Sequence, residues 1–262
     1  MKKRVRKRKT SKRKQKTMRA QKVKKQVTAS KRISTNIPNF DKLIGGGFEK
    51  SSANIIVGGA GSGKTIFATQ FLVGGMKNGE KCLYVTFEEK KEQFYKNMSK
   101  FGWDLEAYEK KDLFTFLEYS PVKVKTMLDE GGGTIETAIL HKGITRVVID
   151  SITSFALLFD KEIERREAAL DLFNMIGGWN CTSLLTLEED ISETKELTSK
   201  AIEFESDSII LIYFPSEKGE RNRYLEILKM RGVKHSKKVH SFEIGKNGIS
   251  VSLRKVNKFN RK

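Results

Sequence analysis

The run "GGAGSGKT", Gly58–Thr65, constrains this chain more than any other feature. It fits the spacing G-x-x-x-x-G-K-[ST] and sits between a strand-like apolar run, "ANIIVGG", and a helix-like run, "GKTIFATQFLVGGMKN". Glycines let the backbone curl with its N–H groups turned inward, and the helix that follows points its positive dipole end at the same spot. Gly58, Gly59, Ala60, Gly61, Ser62 and Gly63 would wrap a polyphosphate, and Lys64, Thr65 and Ile66 open the helix beneath it. Lys64 reaches the β- and γ-phosphates in such a loop, and the Thr65 hydroxyl ligates Mg²⁺. A nucleoside triphosphate is the expected ligand.

Beyond the loop, short apolar runs alternate with helix-like ones. "CLYVTFEE" reads as a strand, "KEQFYKNMSKFG" as a helix, "LFTFLEY" as extended and "GTIETAILHKG" as a helix. The strand "ITRVVIDS" precedes a helix near "EIERREAALDLFNMIGGW"; then come the strands "TSLLTLE" and "SDSIILIYF", a charged hairpin around "PSEKGERNR", and "YLEILKM". Such alternation predicts an α/β domain with a mostly parallel sheet flanked by helices. No internal repeat is visible, so one copy of the fold is expected.

Two of these strands end on acids. Asp150 closes "RVVID", where a carboxylate can face a metal held by Thr65 and phosphates. Glu88 and Glu89 close the strand after the phosphate-loop helix, on the sheet edge where a parallel α/β fold binds ligands. Hydrolysis needs a water aligned with the γ-phosphate, and a carboxylate can take its proton. Adjacent residues of a regular strand face opposite ways, so the two glutamates are expected to divide the work. Glu88 is favoured as base and Glu89 as its partner.

Taken together, "ISTNIPNFDKLIGGGFEKSSANIIVGGAGSGKT", "YVTFEE", "FGWDLE", "VVIDSITSF", "RRE", "TSLLTLE", "SDSIILIY" and "LEILKMRG" resemble the KaiC-like branch of the RecA-superfamily ATPases, from residue 33 to about 253. The resemblance implies a RecA-like core, ATP as the nucleotide, and a site lying between subunits of a ring, commonly a hexamer. It also implies that Lys229 and Arg231 reach the γ-phosphate held by a neighbouring copy; residues two apart on an extended segment do share a face. Arg221 and Arg223 repeat that spacing, and His235 matches a nucleotide-contacting histidine of the family. The sequence departs from the pattern at Asn36, Asn39 and Ser51, where relatives usually carry glycine near these positions, although Asn tolerates left-handed backbone. Val233 stands where a polar residue is common, and Lys90–Lys91 replace a small residue and a proline. No long C-terminal extension suited to autophosphorylation is seen, and a single ATPase domain replaces the two of the clock protein.

Charge divides the chain in two. The net charge is +19, yet residues 1–32 hold 17 of the 51 Lys and Arg and no acid, leaving residues 33–262, the expected ATPase domain, close to neutral. An arm so basic and so poor in large apolar residues is expected to be disordered alone. Counterion release makes nucleic acid or an anionic surface its candidate partner, with weak selectivity because no aromatic is available to stack a base. No apolar run approaches the length of a membrane span. Cys82 and Cys181 lie in apolar segments without metal or framework spacing, which places the protein in the cytoplasm. The leading expectation is an oligomeric ATPase that regulates signalling or assembly. A recombinase-mediator-like DNA-binding ATPase and a non-hydrolysing nucleotide sensor are the alternatives.

Overall fold

The computed structural model describes residues 32–119, 123, 133–156, 158–159, 161–189, 191, 200–217 and 219–256, so the arm predicted over 1–32 lies, Arg32 apart, outside the described residues. The core is a nine-stranded sheet: β1 (Ala53–Gly58), β2 (Cys82–Thr86), β3 (Phe114–Glu118), β4 (Arg146–Asp150), β5 (Thr182–Glu188), β6 (Ser208–Tyr213), β7 (Arg223–Met230), β8 (His240–Gly245) and β9 (Gly248–Lys255). The spatial order is β9-β8-β7-β6-β1-β5-β4-β2-β3. The six strands from β6 to β3 pair in parallel, while β7, β8 and β9 add an antiparallel edge.

Among the described residues a short helix, Phe40–Leu43, precedes β1, and the helices after β1 include α1 (Lys64–Lys77), α2 (Lys91–Ser99), α3 (Leu105–Lys110), α4 (Gly133–Lys142), α5 (Ile152–Ala156), α6 (Glu162–Gly178) and α7 (Lys200–Glu205). Both sheet faces are covered, which is why β1 reads as a continuous apolar run rather than an alternating one. Ile55 and Val57 pack with Leu172, Phe173 and Ile176 of α6, whereas Ile56 faces Phe67, Phe71 and Leu72 of α1. α1 ends where Gly79 takes φ 78° and the N–H groups of Gly79 and Glu80 fold back on Met76 and Gly75.

Asn36, Asn39 and Ser51 all adopt positive φ, at 56°, 66° and 60°. The left-handed turns that glycine would serve are therefore kept, with side chains added. Asn39 Nδ2 donates to the Val251 carbonyl at 2.9 Å, and Ser51 Oγ donates to Asn180 Oδ1 at 2.6 Å. Such bonds offset part of the roughly 1–2 kcal/mol that left-handed backbone costs a residue with a Cβ.

One expected element is shorter than its apolar run. The strand read from "CLYVTFEE" stops at Thr86, two residues before the glutamates. The N–H groups of Glu88 and Glu89 both turn onto Thr86 Oγ1, at 3.3 and 3.1 Å. Strand alternation therefore does not separate the two acids.

Candidate active site

Parallel register brings four strand ends to one edge. Gly58 pairs with Glu188, and Thr86 with Asp150. A cleft of about 300 Å³ opens there, lined by Gly61, Gly63, Lys64, Thr65 and Ile66 on the loop side and by Thr86, Glu88, Glu89, Asp150, Ser151 and Glu188 at the strand ends, with Arg223 and Ile244 at its wall.

The loop has the geometry a phosphate cradle requires. Gly61 and Gly63 have φ of 70° and 111°, and a Cβ on Gly58 would lie 2.5 Å from the Ile212 carbonyl oxygen. Ala60 is exposed at the crest. Ser62 Oγ is buried with no hydrogen-bond partner among the described residues. Lys64, 7 % exposed, turns its ammonium back onto the loop and donates to the carbonyls of Gly58 at 2.8 Å and Gly59 at 2.9 Å; Glu188 Oε2 stands 3.4 Å away.

Opposite the loop, Asp150 collects three hydroxyl donors. Thr65 Oγ1 donates to Oδ2 at 2.7 Å, the Tyr84 hydroxyl donates to the same oxygen at 2.5 Å, and Thr186 Oγ1 donates to Oδ1. The pairings Thr86–Asp150 and Ile149–Leu185 explain this: Thr186 comes level with Asp150 on one adjoining strand, and Tyr84 lies two residues before Thr86 on the other, on the face that α1 covers. Burial, with the Asp150 charge beside it, pushes the Tyr84 phenol well above its ordinary range, so it remains a donor. Neither hydroxyl stands out in the sequence, because an ordinary Tyr or Thr in a strand carries no spacing signal.

Both glutamates line the cleft, each held by a different element. Ser154 of α5 donates to Glu88 Oε1, and Asn97 of α2 donates to Glu89 Oε1 at 3.2 Å. Glu88 is exposed and Glu89 half-buried. Burial, aided by Asp150, holds the Glu89 carboxyl above the ordinary carboxylate range, against the lowering effect of Asn97.

The cations separate into two groups. The register Tyr224–Tyr213 sets Arg223 across from Phe214, and its guanidinium lies 4.1 Å from that ring's centroid while Nη2 donates to the Gly61 carbonyl at 3.1 Å. Arg223 thus belongs to the cleft of its own chain. Arg221 is exposed and bonds the Phe214 carbonyl. Lys229 and Arg231 lie off this cleft but do share a face. Lys229 Nζ donates to the carbonyls of Glu203 and Phe204 at 2.5 and 3.1 Å, and Arg231 Nη2 donates to Phe204 as well. Burial and the neighbouring Arg231 charge lower the Lys229 pKa. His235 is also off the cleft, its Nδ1 3.4 Å from the Val233 carbonyl oxygen.

A parallel sheet whose first strand feeds a glycine loop and helix, with an aspartate closing a strand two places away, defines a RecA-type P-loop nucleotide-binding domain. The chain belongs to the KaiC family of ATPases: the family model "ATPase: KaiC" matches residues 33–256. A UPF0273 protein of Pyrococcus horikoshii is 34% identical over 240 residues, covering 87% of this chain and 96% of that protein. The circadian clock protein KaiC3 of Synechocystis is 34% identical over 232 residues; these cover 84% of this chain but only 45% of that protein. Among solved structures, a KaiC-like protein of Pyrococcus horikoshii superposes with a TM-score of 0.75 at 35% identity, covering 85% of this chain and 99% of that one.

Proposed function

We propose that the chain hydrolyses ATP in a Mg²⁺-dependent reaction at a site completed by a second copy of itself, and that residues 33–262 form the ATPase domain of a closed ring such as a hexamer. Its nucleotide state would regulate signalling or assembly of a partner. The observation that carries this reading is the convergence of Lys64, Thr65, Asp150, Glu88 and Glu89 on one cleft, while Lys229 and Arg231 turn away from it together. The buried, unpartnered Ser62 Oγ and an ammonium resting on loop carbonyls are groups that a polyphosphate would satisfy.

Bound ATP with Mg²⁺ supplies an electrophilic phosphorus and the charge of the metal. Lys64, now on two loop carbonyls, would bind phosphate oxygens, and Thr65 and Asp150 would hold the metal. Glu88 accepts the proton of an attacking water with Glu89 as its partner beside it, and Arg223 steadies the loop crest from the same chain. Lys229 and Arg231 of the adjoining copy add positive charge where negative charge develops. His235 is a further contact candidate from that copy. The cytoplasm is the proposed compartment, in keeping with two free, buried cysteines. Among the described residues no helix is long and apolar enough to cross a membrane.

Native mass spectrometry with and without ATP and Mg²⁺, paired with phosphate-release assays, tests the reading. Wild type should assemble and turn over, Glu88→Gln should bind without turnover, and Lys64→Ala should not bind. A chain that stays monomeric and takes up no nucleotide would overturn it. The basic arm supports nucleic acid as a candidate partner. Salt-dependent DNA or RNA binding that survives removal of residues 1–32 would favour the DNA-binding alternative.

A further inference from the structure

Glu88 and Glu89 leave the end of β2 side by side, yet the donor on Glu89 comes from a helix whose own position is well fixed. Phe94 and Met98 of α2 are buried, and the first N–H of the helix, on Lys91, donates to Glu118 Oε1 at 2.8 Å. Asn97 lies on this helix, one turn from Gln93 and three residues before Lys100. Its amide has only one sensible orientation. Oδ1 accepts from Gln93 Nε2 at 3.1 Å and from Lys100 Nζ at 3.3 Å. A lysine ammonium has donors and no acceptor, so the amide oxygen must face it. Nδ2 is thereby turned to Glu89 Oε1, 3.2 Å away.

We infer that Asn97 is a positioning residue for hydrolysis: its Nδ2, aimed by Gln93 and Lys100, fixes the Glu89 carboxylate in the cleft. The inference rests on reading the two glutamates as the proton-accepting pair. A carboxylate in a short loop after a strand has free side-chain torsions, and one donor on a rigid helix selects among them. The same donor favours the ionised form, the one that can accept a proton. Ser154 serves Glu88 from α5 in the same manner, so the two acids are held independently although they are adjacent in the chain.

Asn97→Asp isolates this contact. It preserves the shape of the side chain and the oxygen that Gln93 and Lys100 bond, and replaces only the donor facing Glu89 with a second negative oxygen. Asn97→Ala removes the whole group, and Glu88→Gln and Glu89→Gln are run in parallel. All are compared as full-length protein by phosphate release, equilibrium nucleotide binding and thermal melting. In Asn97→Ala, kcat should fall about tenfold, and in Asn97→Asp about a hundredfold, with nucleotide affinity within about twofold of wild type in both. A role confined to helix packing would rank the isosteric Asp as the milder change. An Asp variant as active as the Ala variant or more so, or both at the wild-type rate while Glu89→Gln is slow, overturns the inference alone. Wild-type turnover in both Glu88→Gln and Glu89→Gln removes the proton-acceptor reading, and the inference with it.

Discussion

Thr65 and Asp150 are joined by a 2.7 Å hydrogen bond that ties the first turn of α1 to the end of β4, across the intervening β5. Asp150 takes two more hydroxyl donors, from Tyr84 and Thr186, so its oxygens are held in one orientation. Asp150→Asn would put an amide donor against one of these donors. The half-saturating Mg²⁺ concentration is expected to rise about tenfold or more, as when the outer partners of a metal site are lost. Phosphate-release rates across a Mg²⁺ titration measure this, and chelation of the metal should stop turnover in the wild type.

Arg223 and Arg231 should behave oppositely in mixed assemblies. Arg231→Ala subunits mixed with Lys64→Ala subunits should recover part of the hydrolysis, because an intact loop from one then meets an intact cation from the other. Arg223, which bonds Gly61 of its own chain, gives no such rescue: Arg223→Ala mixed with Lys64→Ala should remain inactive. Phosphate release from mixtures whose composition is verified by mass decides both cases.

Gly75→Ala should destabilise the protein, against the usual rule that Ala improves a helix interior by about 1 kcal/mol. A Cβ there would lie 2.5 Å from Arg146 Nε. Arg146 is 1 % exposed and cannot give way easily: Glu80 grips it at 2.6 and 2.8 Å, and it donates to the carbonyls of Phe71 and Ser34. Overpacking at such a site costs about 1–3 kcal/mol and disturbs a buried ion pair besides, so a net loss of about 2 kcal/mol is expected in denaturant unfolding.

Glu89 predicts a pH-dependent stability. Burial raises its folded pKa above the unfolded value, so the folded state binds the proton more tightly. That contribution is fully present below the unfolded pKa, about 4.3, and is lost as pH rises through the folded value. Near neutral pH, Glu89→Gln should therefore melt above the wild type. The gap should close as the pH is lowered towards 4. Melting curves at the two pH values test the sign.

Much of this site was legible in the sequence because its signals are local. The spacing of Gly58, Gly63, Lys64 and Thr65 marks a phosphate loop, and Asp150 ends an apolar run that reads as a strand. Glu88 and Glu89 were visible as acids at a strand end, but their equal access to the cleft was not. That depended on Thr86 capturing both N–H groups and ending the strand early.

The sequence by itself determined a strand–loop–helix phosphate cradle, the alternation of strands and helices that implies a parallel α/β core, and the spacing that puts Lys229 and Arg231 on one face, since each of these signals lies in residues close together in the chain. Only the tertiary structure decided that Tyr84 and Thr186 clamp Asp150, that Arg223 serves its own loop through Phe214, and that Asn97 faces Glu89. Those partners are set by strand register and by how helices settle on the sheet. A register is chosen by the sum of many apolar contacts along whole strands, and no short run of residues carries it.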